Sequence, residues 1–152
     1  MNALLKNTAH RQRLDDQGFV VVRLLSTDQV QRLQRLYDTL VDTDDVVDLY
    51  ESSRHNDYDV NRRINEAIRD EMIVAGEHVF GDCRVYGGSF MVKSSGDSTL
   101  LPLHQDWSVV DEKRSETVFV WCPLVPVTPD NGGLFAVPGS HRYFDGLRSG
   151  SY

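Results

Sequence analysis

Leu103-His104-Gln105-Asp106-Trp107 is the stretch on which the fold turns, and three later runs belong with it: Trp121-Cys122-Pro123-Leu124, Asn131-Gly132-Gly133-Leu134 and Pro138-Gly139-Ser140-His141. On extended chain, side chains two residues apart point to the same face. His104 and Asp106 can therefore grip one metal ion. A His and a carboxylate with open coordination positions supply two-thirds of the facial triad that holds non-heme Fe(II). The spacing alone is weak. With 5 His and 23 acidic residues among 152, roughly one His-x-acid triplet is expected by chance. The chain carries its own control in His55-Asn56-Asp57, which lies in a polar run and reads as surface. His104-Gln105-Asp106 sits instead between Leu100, Leu101 and Leu103 on one side and Trp107, Val109 and Val110 on the other. The competing reading of the pair is a hydrogen bond at a strand end.

Outward from that motif, the period of the apolar positions changes along the chain. Asn2 to Gln17 is polar, with Leu4, Leu5 and Leu14 scattered, and reads as a short surface helix. Gly18-Phe19-Val20-Val21-Val22 is β-branched and aromatic and reads as a first strand. Ser26 and Gln29 form a capping-box pattern, and Val30, Leu33, Leu36, Tyr37, Leu40 and Val41 follow at helical spacing, up to the break at Asp42–Asp45. Ser52 to Asp59 is a polar loop. Ile64, Ala67, Ile68, Met72, Ala75 and Val79 then predict an amphipathic helix over Val60–Phe80, stopped by Gly81. Beyond it come extended runs over Cys83–Val92 and Leu100–Trp107, a long, mostly buried strand over Glu116–Val127, and another over Leu134–Val137. Asn-Gly at 131–132 suits a tight hairpin, and Pro138-Gly139 suits a second corner. Helices first and strands afterwards mean α+β, or a barrel with a helical flank.

The bulk properties narrow the class of function. The length suits one domain, residues 1–152, with a real core. A net charge of -7 and a pI near 5.1 argue against a nucleic-acid partner, which needs clustered Lys and Arg. They fit a chain that handles a small molecule. No apolar run approaches a membrane span of about 20 residues, and Met1–Asn7 carries no signal-peptide pattern. Cys83 and Cys122 are isolated and read as reduced core thiols of a cytoplasmic protein.

Taken as an ordered series, Gly18–Val22, Lys93, His104–Trp107, Trp121–Leu124, Asn131–Leu134 and Pro138–His141 resemble the phytanoyl-CoA dioxygenase family, from about Leu14 to Arg142. The resemblance implies an Fe(II)- and 2-oxoglutarate-dependent dioxygenase that hydroxylates a C–H bond. It also implies a double-stranded β-helix, the cupin-like jelly-roll, with N-terminal flanking helices. His104 and Asp106 would be the first two iron ligands. Gln105, Trp121 and Ser89 match positions that line the 2-oxoglutarate pocket. The plainer readings are a core residue for Trp121 and a turn residue for Ser89, beside Gly87-Gly88. Lys93 is read as solvated and left out of the site. His141 belongs to a turn in the family and is not taken as a ligand.

The chain departs from the family at its C-terminal end. After Asp106 the sequence has one His, His141, and neither Arg142 nor Arg148 follows a distal His at family-like spacing. The distal His, the Arg that pairs with the far carboxylate of 2-oxoglutarate and the last barrel strands are not assigned. Two protein ligands hold iron less firmly than three, and an open barrel leaves backbone edges to pair with another chain. The expectation is an incomplete domain, from a truncated or split gene product. A second expectation is that another polypeptide completes the barrel. The reading from a different class is a catalytically inactive half-barrel that binds a partner or holds metal weakly. A hydrolytic zinc site lacks the further His or Cys it would need. Asp111-Glu112-Lys113-Arg114 reads as a solvated mobile loop, and the substrate is not legible.

Overall fold

The computed structural model describes residues 4–42, 46, 48–94, 101–144 and 146–148. Helix α1 (Thr8–Gln17) starts where the Asn7 side chain accepts from the His10 N–H and ends at Gly18. Helix α2 (Thr27–Leu40) has the full capping box: the Ser26 side chain accepts from Gln29 N, and the Gln29 side chain accepts from Ser26 N at 2.9 Å. This reciprocal pairing satisfies two donors that a helix start leaves open. A short strand β1 (Leu49–Glu51) leads through a 3₁₀ turn, Ser52–Arg54, into helix α3 (Tyr58–Gly76), capped by Asp57, whose carboxylate accepts from Asp59 N and Val60 N. Strand β2 (Met91–Lys93) pairs antiparallel with β1, Tyr50 opposite Val92. Two further 3₁₀ turns, Pro129–Asn131 and Ser140–Arg142, punctuate the C-terminal half. No helix among the described residues is long and apolar enough to cross a membrane.

The core lies where α2 and α3 meet the small sheet. Leu33, Val41, Tyr50, Ile64, Ile68 and Phe90 form one cluster, in which the Phe90 ring meets Tyr37 edge-on at 5.5 Å. Ile64 is fully enclosed. Leu5, Leu24, Ala75 and Val79 form a second cluster, with Val20, Val22 and Cys122 against it. Arg32 forks onto Glu71 at 2.5 and 2.9 Å and ties α2 to α3. That pair holds the Glu71 carboxyl below its ordinary range, through the hydrogen bonds from Arg32 first and despite burial, which pushes the other way.

Several sequence expectations are corrected here. Among the described residues the architecture is α+β, with three helices and a two-stranded sheet, and a complete jelly-roll is not formed. Gly18–Val22, Glu116–Val127 and Leu134–Val137 form no ladder. Phe19 to Leu24 nevertheless alternates strictly, with Phe19, Val21 and Arg23 exposed and Val20, Val22 and Leu24 turned inward. The strand pattern is in the side chains, which pack onto Leu5, Ala75 and Val79, while the backbone pairs with no neighbouring strand among the described residues. Glu116–Val127 is not mostly buried either: Phe119, Val120, Trp121 and Val125 are all exposed. Asn131 closes a 3₁₀ turn, Pro129–Asn131, that is capped by Thr128 and followed by a left-handed Gly132, rather than forming a hairpin.

At the N-terminus the expected surface helix begins only at Thr8. Leu5 is drawn into the core instead and bridges Phe80, with Lys6 N donating to Val79 O at 2.9 Å. Helix α3 ends at Gly76, short of Gly81, because Val79 N and Phe80 N both turn back onto Gly76 O and Phe80 folds over that glycine. Cys83 is exposed rather than core. Of the expected elements, Asn2 and Ala3, Asp45 with its two predecessors, and Leu100 lie outside the described residues.

Candidate metal centre

Residues 101–107 form no ladder, yet the His104 and Asp106 side chains converge: Nε2 lies 3.4 Å from Oδ1. With their side chains 41% and 52% exposed, both atoms are reachable from solvent. The imidazole is oriented from behind, since Nδ1 lies 2.8 Å from the Pro102 carbonyl oxygen. A carbonyl can only accept, so Nδ1 carries a hydrogen and Nε2 is the ring atom that faces the carboxylate. At that separation the two atoms can share either a proton or a cation. An ion about 2.1 Å from each atom spans the gap without moving either. One imidazole and one carboxylate, with a carbonyl behind the ring, are donors that could hold a first-row metal.

Gln105 points the other way. Its amide nitrogen donates to Ser140 O at 2.8 Å, while Oε1 is enclosed without a protein partner among the described residues. This bond links the motif to the 3₁₀ turn at 140–142, which is docked on the end of α1. Gly139 N donates to Gln17 O at 2.8 Å, and His141 Nε2 and an Arg142 amino group both donate to Asp15 O. Basic side chains at a helix C-terminus also oppose its partial negative charge. His141 is spent on this docking. No group of three or more metal-ligating side chains forms among the described residues.

On the far side of Asp106, Arg148 Nε donates to the Asp106 carbonyl at 2.8 Å, and its two amino groups grip the Glu112 carboxylate at 3.0 and 2.5 Å. Sequence reasoning gave Arg148 no role, and no motif could have found it, because its partners lie 36 and 42 residues away. The Asp111–Arg114 segment closes a turn, with Arg114 N donating to Asp111 O at 2.9 Å.

Ser89 and Trp121 are both exposed, and neither hydrogen-bonds to His104, Gln105 or Asp106 among the described residues. Trp121 is not the core residue its apolar surroundings suggest. Cys122 and Leu124 turn to the helical layer, where Leu124 O accepts from Gln34 Nε2 at 2.6 Å, and Trp121 and Val125 turn away. The control motif behaves as surface: Asp57 caps α3 and donates its backbone N–H to His55 Nδ1 at 3.0 Å, beside a groove of about 350 Å³.

No curated protein and no solved structure matches the chain. The model of one family of oxygenases, described as phytanoyl-CoA dioxygenase (PhyH), matches residues 14–151. The chain belongs to the phytanoyl-CoA dioxygenase family.

Proposed function

We propose that this chain supplies the first part of an Fe(II)- and 2-oxoglutarate-dependent dioxygenase site acting on a small molecule. The observation that carries the reading is the Nε2–Oδ1 separation of 3.4 Å, an imidazole nitrogen and a carboxylate oxygen facing one another while Nδ1 is held by the Pro102 carbonyl. His104 and Asp106 would hold the iron. When bound, the metal and its 2-oxo acid supply the oxidising power for hydroxylation of a C–H bond. The chain's own residues position and shield: Pro102 fixes the imidazole, and Gln105 anchors the motif to the turn at 140–142. Gln105, Trp121 and Ser89 are the proposed 2-oxoglutarate contacts. Gln105 uses one of its two amide hydrogens on Ser140 O and has a second to offer a carboxylate, and the exposed Trp121 ring is free to cover a ligand. The third metal ligand and an arginine for the far carboxylate would come from polypeptide beyond this sequence or from a second chain. The two free thiols fit a reducing, cytoplasmic setting.

Succinate formation from 2-oxoglutarate, Fe(II) and oxygen tests this. The expected result is little turnover from the chain alone and recovery when a C-terminal segment carrying a His and an Arg is supplied. Full activity from the chain alone would contradict the incomplete ligand set.

A second reading, an inactive half-barrel that serves as a binding module, has its own observation. None of the described residues from 101 onward is buried, and Leu103, Trp107, Phe119, Leu134 and Phe135 are exposed. Under that reading the H104A/D106A double variant would bind the partner as well as the unaltered chain does.

A further inference from the structure

We propose that Arg148 is a positioning residue for the metal site, holding the backbone of Asp106 so that its carboxylate faces His104; this rests on the metal reading above. In a strand, the ladder would fix the direction of Asp106. Here no ladder forms over 101–107, so the direction of the carboxylate depends on whatever holds its own peptide. Arg148 does this from one residue. Its Nε donates to the Asp106 carbonyl at 2.8 Å, its N–H donates to Ser108 Oγ at 3.2 Å, and its carbonyl accepts from Ser108 N at 2.9 Å. The remaining guanidinium edge is fixed by the Glu112 carboxylate. The site is thus gripped at both ends of the motif, by Pro102 on the imidazole and by Arg148 on the aspartate peptide. A planar fork can serve a carbonyl and a carboxylate at once, and a lysine ammonium on a flexible stem cannot reproduce that geometry.

The test is Mn(II) binding by the whole chain, read by electron paramagnetic resonance of the free ion, with circular dichroism to check the helices. The unaltered chain should bind Mn(II), and D106N should abolish binding. Arg148→Ala and Arg148→Lys should each weaken it about 10- to 100-fold, the range for lost outer-shell partners, while helicity is retained. If R148A fails to fold, R148K decides alone. Binding within twofold of the unaltered chain would overturn the role of Arg148 and leave the metal reading intact. Absence of Mn(II) binding by the unaltered chain would overturn both.

Discussion

Replacing Gly18 by alanine probes how the N-terminal helix is coupled to the candidate site. Gly18 has φ +81°, and a Cβ there would lie 2.4 Å from His141 Nδ1 and 3.1 Å from His141 Cβ. Because the root of the side chain is involved as well as the ring, rotating the imidazole cannot relieve the clash. Gly139 has nearly the same backbone, φ +78°, with nothing within 4 Å of its Cβ position. Gly139→Ala therefore measures the left-handed backbone cost alone, about 1–2 kcal/mol. Gly18→Ala carries that cost and also displaces the His141 bond to Asp15 O, adding about 0.5–1.5 kcal/mol. The assay is urea unfolding followed by circular dichroism, run on both single variants, on His141→Ala and on Gly18→Ala/His141→Ala. The double variant should be more stable than the two single losses summed. Strict additivity, or Gly18→Ala no worse than Gly139→Ala, would refute the coupling. Displacing the turn also loosens Ser140, so Gly18→Ala should weaken Mn(II) binding while Gly139→Ala perturbs it less.

Two further outcomes follow from the core and from the interhelical ion pair. Ile64→Ala should cost about 2–5 kcal/mol by urea unfolding, because a fully enclosed side chain leaves a cavity its neighbours fill only in part; a loss below about 1 kcal/mol would place Ile64 outside the core. The Glu71 carboxyl is held below its ordinary range by Arg32, so the stability it contributes is present above the unfolded value, about 4.3, and is lost as pH falls through the lower folded value. Glu71→Gln should flatten the acid side of the stability–pH profile, and an unchanged profile would show that the pair contributes nothing.

The helices were legible because their signals are local. Ser26 with Gln29, the 3.6-residue spacing through Leu33 and Leu36, and Ile64, Ala67 and Ile68 need nothing from distant chain. The boundaries of α3 were less so, since two glycines, Gly76 and Gly81, compete as the stop and the local fold of Phe80 over Gly76 decides between them. The strands were read from alternation and composition. Phe19 to Leu24 has the alternation, but a ladder is a property of two backbones and a single segment cannot announce its partner. At the site, His104 and Asp106 stood out through residue type and spacing. The Pro102 carbonyl and Arg148 did not, one being backbone and the other distant in sequence.

Among the described residues, every buried apolar side chain lies between Leu5 and Phe90. During synthesis, then, the ribosome delivers the whole of the helical core before His104 has been translated. N-terminal units generally settle first as a chain emerges, so the half that carries His104 and Asp106 arrives at a surface that already exists. Its attachments there include Cys122 and Leu124 on the helical layer, the Arg11–Glu116 ion pair, and the turn at 140–142 on the end of α1. Substitutions in that later half are therefore expected to leave the yield of folded chain largely untouched.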